Sequence, residues 1–200
     1  MFLGLALSAL EANGVGEWRA PFMIRTYGWT PEQIGYWGGI TLFVAMPLGL
    51  FLGTWLTERL GKTHKDASVR VTCIMFSLAV PASVASPLMP TGELAIITGA
   101  LALVFGMGAA VPQNAAIQRI TPNDMRGQVT AIYLFMFTVF GALGSILVAM
   151  INQYIFAAEN DLWKTLTIVA AVLMPLAAWA ISKGMKPYGE EVERLEALGR

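Results

Sequence analysis

The sequence contains one cysteine, Cys73, so a disulfide cannot form within the chain. It is also poor in charge, because Asp, Glu, Lys and Arg make up 13% of its 200 residues, against roughly 25% in a soluble domain. The 13 basic and 13 acidic residues cancel, so the chain lacks the basic excess of a nucleic-acid-binding protein. Hydrophobic residues make up 56% of the chain, which excludes intrinsic disorder.

Motifs of common enzymes and metal sites are absent as well. The chain has one histidine, His64, and neither an HExxH nor a paired CxxC spacing that would hold a metal ion. No GxSxG, Walker or GxGxxG motif opens a helix after a strand. We therefore predict no catalytic residue, no metal site and no cofactor, and we do not expect an enzyme.

Long runs without charge are abundant. A transmembrane helix needs roughly 20 apolar residues, and five such runs occur, at 34–57, 71–92, 94–118, 127–158 and 165–182. A sixth apolar segment, 1–24, contains Glu11, Glu17 and Arg19. We predict an all-α polytopic membrane protein whose transmembrane domain spans 1–182, followed by a tail at 183–200. The six predicted helices lie at about 1–25, 33–57, 70–89, 94–118, 126–153 and 162–182.

The distribution of lysine and arginine predicts the orientation in the membrane. Alternate loops and the tail carry ten of these residues on one side and three on the other. The positive-inside rule places the richer side in the cytoplasm. We therefore predict an integral protein of a bacterial inner membrane with both termini in the cytoplasm.

Two segments of the chain resemble each other. Thr30-Pro31 opens the second predicted helix and Thr121-Pro122 opens the fifth, 91 residues later. Each pair would place threonine at the N-cap and proline in the first turn. The third and sixth helices are also offset by 91 residues. This pattern predicts an inverted three-plus-three repeat, which is typical of secondary transporters, although any helix start favours Thr-Pro.

The loop after the second helix, 53–62, resembles the cytoplasmic signature of the major facilitator superfamily, with Thr54 in place of the first glycine. The matching positions are Leu56, Glu58, Arg59, Gly61 and Lys62. The resemblance implies that Glu58, Arg59, Gly61 and Lys62 belong to a cytoplasmic gate, and Arg126 is a further candidate. A short solvated loop is the alternative.

Other segments extend this resemblance over nearly the whole chain. The segment 118–128 looks like the superfamily's link between helices ten and eleven, and 133–144 is similar to its helix eleven. Residues of the first helix resemble the spinster-like branch, namely Trp18, Pro21, Phe22, Arg25 and Gly28. The resemblance implies half of a major facilitator fold, corresponding to helices seven to twelve of a secondary transporter.

The expected function is alternating-access transport of a small organic or amphipathic solute, coupled to protons or another ion. The implied partners are membrane lipids, the substrate, and either an N-terminal six-helix half or a second copy of the chain. We expect no nucleic acid to bind. The alternative is a truncated membrane remnant or scaffold that does not transport.

Polar residues inside the spans are the candidate site. At 1.5 Å per residue the first segment is about 36 Å long, which places Glu11 near the middle of the bilayer, with Asn13 nearby. Such groups are functional hypotheses because charge in a membrane is costly. Glu11 could bind a cation or carry a proton, or it could be a structural partner. The other candidates for substrate or proton binding are Arg19, as a gate or rim charge, Gln113, Asn114 and Tyr133.

Overall fold

A computed structural model describes residues 2–156 and 161–197. The predicted helix start at 1, the predicted end of an apolar run at 158 and the end of the predicted tail at 198–200 lie outside the described residues. The described residues form seven α-helices and no strand, so the predicted all-α fold is confirmed. The α-helices are α1 Phe2–Tyr27, α2 Pro31–Gly61, α3 Ala67–Ala85, α4 Gly92–Ile120, α5 Arg126–Ile151, α6 Leu162–Lys183 and α7 Met185–Ala197. Short 3-10 turns lie at Ser86–Leu88 and Asn123–Met125, and a π-helical segment at Asn152–Phe156.

Among the described residues, five helices are long and apolar enough to cross a membrane, namely α2 to α6. The 26 residues of α1 are also enough to cross about 30 Å of hydrocarbon. However, α1 carries Glu11, Glu17, Arg19 and Arg25, which lower its hydropathy. The six predicted spans are therefore five apolar helices and one charged helix.

The start of α2 follows the sequence prediction. The side chain of Thr30 accepts a hydrogen bond from the backbone of Gln33, whose side chain bonds back to the Thr30 backbone. Pro31 occupies the first turn, where its missing N–H leaves no helical bond unmade. A similar cap begins α4, where Thr91 accepts a bond from the backbone N–H of Leu94.

The matching prediction at Thr121 is wrong. Its hydroxyl donates to the carbonyl of Ile117, so it completes the last turn of α4 rather than capping α5. Pro122 leads into the 3-10 turn Asn123–Met125, and α5 begins only at Arg126. The threonine side chain bonds the nearest free carbonyl, and the chain between the two helices needs the extra residues to turn.

The packing of the helices follows the inverted repeat. Helix α2 packs along α4, and its counterpart α5 packs along α1, while α3 and α6 pack on each other in the centre. Gly53 and Gly144 are 91 residues apart, and each lies at one of the two equivalent seams. A Cβ on Gly53 would overlap the backbone of Gly108 in α4, and one on Gly144 would overlap the backbone of Leu10 in α1. Small residues allow this close approach of membrane helices.

The helix α7 packs against the end of the bundle. Tyr188 and Val192, one turn apart, are buried in the same apolar cluster as Val69 of α3. Most of the predicted tail, 183–200, is therefore a helix that is attached to the bundle.

Candidate functional site

A cavity of about 280 Å³ lies between helices α1, α3, α4, α5 and α6. Its volume is close to the lower end of the roughly 300–1,000 Å³ typical of small-molecule sites. Its wall is mostly apolar and is interrupted by two charged side chains, both from α1. The large apolar side chains in the wall are Phe22, Met23, Phe76, Leu103, Met107, Phe137, Leu166 and Met174.

The cavity exists because α1 stays apart from α3 and α4. Helix α1 packs along α5 and α6, whereas α4 packs along α2 and α3, so α1 makes little direct contact with α3 or α4. The face of α4 that borders the gap carries several residues with small side chains or none, beside the larger Leu103 and Met107. The small ones are Gly99, Ala102, Gly106 and Ala110. The small residues leave part of this space open.

Glu11 lies at the centre of α1 and is 5% exposed. The hydroxyl of Ser83, in α3, donates a hydrogen bond of 2.5 Å to its Oε1 atom. The bond crosses the gap between α1 and α3, and both side chains line the cavity. A buried carboxyl group is costly in free energy unless it is hydrogen-bonded, so the bond from Ser83 stabilises Glu11 in this buried position.

Arg19 lies eight residues further along α1, about 12 Å along the helix axis, and also faces the cavity. Its Nη2 atom donates to the carbonyl of Ile96 in α4, at 3.4 Å. The guanidinium lies directly against Gly99, where a Cβ would overlap it. Arg19 therefore crosses the cavity from α1 to α4, whereas Glu17 is exposed on another side of α1.

Asn13 does not line the cavity. Its Nδ2 atom donates to the carbonyl of Ala9 at 3.0 Å, and its side chain packs on Gly141 of α5. Two residues correspond to about 200° of rotation around a helix, so Asn13 points away from the side that carries Glu11. The structure therefore separates this predicted residue from the cavity.

The predicted residues of α4 and α5 are only partly brought together. Gln113 is buried and lines the cavity, as does Tyr133, whose ring stacks on that of Phe137. Asn114 is exposed and is not part of the cavity wall, and its Nδ2 atom donates to the carbonyl of Ala110 at 3.0 Å. Of the six predicted substrate or proton residues, four line the cavity.

The residues of the signature loop lie away from the cavity at the end of α2. The guanidinium of Arg59 stacks over the ring of Trp55, 4.5 Å from its centroid, and Glu58 is exposed. Gly61 and Lys62 complete the end of the helix and are also exposed. Arg126 is exposed at the start of α5.

The loop that follows α2 is connected to α4 instead. Arg119 donates from Nη1 to the carbonyl of Lys65 at 2.9 Å. Next to this contact, the carboxylate of Asp66 forms an ion pair with Arg70 at 2.7 Å. These contacts bring the end of α4 to the loop between α2 and α3.

A second, more open groove of about 540 Å³ lies where α6 meets α7. It is lined by Trp179, Lys183 and Tyr188 among others, and by none of the predicted site residues. The smaller cavity is therefore the better candidate site, because it is more enclosed and contains Glu11 and Arg19.

Comparisons with known proteins agree with this arrangement. The family model of the Major Facilitator Superfamily matches residues 1–197. The chain belongs to the major facilitator superfamily. The superfamily predicted from the signature loop is therefore confirmed, and membrane transport is the general role that it implies.

Two relatives illustrate how much of a superfamily member the chain represents. An MFS-type efflux pump of Mycolicibacterium smegmatis is 28% identical over 150 residues, which are 75% of this chain and 35% of the pump. The second is the crystal structure of a bacterial homologue of the human lysosomal transporter spinster, in an inward-facing and unoccupied conformation. The match covers 96% of this chain and 46% of the homologue's chain. Its TM-score is 0.66 at 17% identity, so the likeness is one of fold. The chain spans less than half the length of either protein.

Sequence reasoning missed three residues that shape the cavity. Ser83 and Ser86 lie on α3 and on the turn after it, and Gly99 makes room for Arg19. The two serines interrupt an otherwise apolar segment three residues apart, and that spacing was the available signal. The role of Gly99 follows only from the position of a side chain on another helix.

We predict that Ser83→Ala destabilises the protein, because it removes the hydroxyl that holds the buried Glu11 carboxyl. Leaving such a group unpaired costs about 1–3 kcal/mol, and each kcal/mol corresponds to roughly 2–4 °C in Tm for a chain of this size. Thermal unfolding in detergent measures the difference. Ser77→Ala is the control, since Ser77 is exposed on α3 and bonds its own helix. Equal Tm values for the two variants would contradict the role of Ser83.

Proposed function

We propose that this chain is the C-terminal half of a secondary transporter that moves a small organic or amphipathic solute by alternating access. One observation carries the proposal: a mostly apolar cavity, enclosed by five helices, holds a carboxyl and a guanidinium from the same helix. Ionisable groups inside a membrane mark substrate or ion pathways. The efflux pump and the spinster homologue, by their names, support this class of function.

We propose Glu11 as the group that couples transport to protons. It is the one acidic side chain in the cavity wall, and its carboxyl is held by a neutral serine rather than by a cation. A carboxyl in this setting can exist in both protonation states without breaking an ion pair. The nearest cation in the wall is Arg19, about two helical turns away.

The uncovered faces of α2 and α5 support a partner. Both helices pack mainly on one neighbour each, and their other faces expose large apolar side chains such as Phe43, Phe51 and Phe135, which are 83%, 64% and 67% exposed. Lipid can cover one side of each helix. The other side would contact a second six-helix half, supplied by another part of the protein, by a separate chain or by a second copy.

The proposed setting is a bacterial inner membrane with both termini in the cytoplasm. The bacterial relatives and the lysine and arginine distribution support this orientation. In that orientation, Arg19 lies in the outer half of α1, and the loop between α2 and α3 faces the cytoplasm. The signature residues Glu58, Arg59, Gly61 and Lys62 would then contact the partner half when the cytoplasmic side closes.

We predict that Glu11→Gln lowers proton-driven accumulation of the transported probe at least tenfold, because the glutamine cannot carry a proton. The assay uses proteoliposomes that contain the transporter with its partner half. The probes are two membrane-impermeant ions, 4-phenylbutane-1-sulfonate and (4-phenylbutyl)trimethylammonium. Glu17→Gln, on the exposed side of α1, should accumulate the transported probe like the parent protein. Unchanged accumulation by Glu11→Gln would remove Glu11 from the mechanism, and no transport of either probe by the parent would favour a non-transporting remnant.

We predict that the chain, extracted gently from its own membrane, is associated with about six further membrane helices. Covering the exposed faces of α2 and α5 provides the physical reason. Native mass spectrometry distinguishes a separate partner from a self-dimer. A stable 21.6 kDa species without any partner would contradict the proposal.

A further inference from the structure

The guanidinium of Arg19, which is half-buried, has few partners for a cation inside a membrane protein. A guanidinium carries five N–H donors, yet the one hydrogen bond found for Arg19 among residues 2–156 and 161–197 is the 3.4 Å contact to Ile96. No carboxylate of these residues lies within ion-pairing distance of it. Because a cation inside a membrane is costly, this position favours an anion that the described chain does not supply.

The neighbouring residues hold the guanidinium in place at the cavity wall. Gly99 gives it room on α4, and the hydroxyl of Ser86 lies at the same glycine. Ser86 itself donates to the carbonyl of Ala95 at 2.8 Å. The local carbonyls are therefore partly occupied, and Arg19 keeps donors free for a ligand.

Glu11 does not neutralise Arg19. The two residues are about 12 Å apart along α1, and the Glu11 carboxyl is bonded to Ser83. The cavity that both residues line also carries apolar side chains of the opposite helices, including Met107, Phe137 and Leu166. A ligand that fits this space needs an apolar body and one charged end.

We infer that the cavity binds an amphipathic anion, whose charged group contacts Arg19 and whose apolar body lies in the cavity toward Glu11. The inference rests on the proposed function, because it names the chemical class of the solute. Arg19 forms charge-assisted hydrogen bonds to a carboxylate, sulfonate or phosphate group, which are the stronger kind. The cavity volume of about 280 Å³ limits the body to a short chain or a single aromatic group.

Equilibrium dialysis of the transporter in lipid nanodiscs tests this inference with three probes of the same shape. The probes are 4-phenylbutane-1-sulfonate, 4-phenylbutan-1-ol and (4-phenylbutyl)trimethylammonium. We expect the sulfonate to bind at least tenfold more tightly than the other two. Arg19→Gln should remove this preference but keep the affinity for the alcohol within twofold, which also shows that the cavity remains folded.

Two further variants separate the charge of Arg19 from its packing. Arg19→Lys keeps a cation and should retain part of the preference for the sulfonate. Arg25→Gln is the matched control, because Arg25 is exposed on the same helix and lies outside the cavity wall. We expect this variant to bind all three probes like the parent.

Several outcomes would overturn the inference: an unchanged sulfonate preference in Arg19→Gln, tightest binding of the trimethylammonium probe, or no saturable binding of any probe. A carboxylate from the partner half that neutralises Arg19 would produce one of these results. Binding is measured without transport, so the two proposals fail separately. A protein that binds the sulfonate through Arg19 but does not move it would contradict the proposed function alone.

Discussion

The hydrogen bond between Ser83 and Glu11 is the interaction on which this account depends. A carboxyl group in the middle of a membrane span needs a donor, and α3 supplies it across a gap that the helices themselves do not close. Arg19 crosses the same cavity to α4 through the carbonyl of Ile96. Across the cavity, α1 is thus joined to α3 and α4 by two polar contacts rather than by close helix packing, and polar contacts of this kind can be exchanged for contacts with a ligand.

The remainder of the bundle is packed much more closely. Gly53 lies against Gly108, and Gly144 lies against Leu10, in two seams where no side chain separates the backbones. These seams join α2 to α4 and α5 to α1. The cavity lies between these two helix pairs, and α3 and α6 complete its wall.

The sequence predicted the features that depend on hydropathy and spacing along the chain. It predicted the long apolar helices and the repeat of 91 residues, because apolar length and periodicity are local properties. It did not predict that Asn13 faces α5, although 100° per residue already separates it from Glu11. Ser83 and Gly99 could not be found in this way, since their roles depend on side chains of another helix. Thr121 was misassigned because a threonine hydroxyl can bond backward to its own helix as readily as it can cap the next.

In the proposed mechanism, the cavity on α1 opens to water on both sides of the membrane in turn. A single cysteine at Val15, which lines the cavity between Glu11 and Arg19, tests it directly once Cys73 is replaced by serine. In sealed vesicles of each orientation, the account predicts that a membrane-impermeant maleimide labels Val15→Cys from both sides. A cysteine at Val172 is the control, because this residue lies on the outer surface of α6, which lipid would cover. It should not be labelled from either side. Absence of labelling at Val15→Cys from both sides would contradict the account.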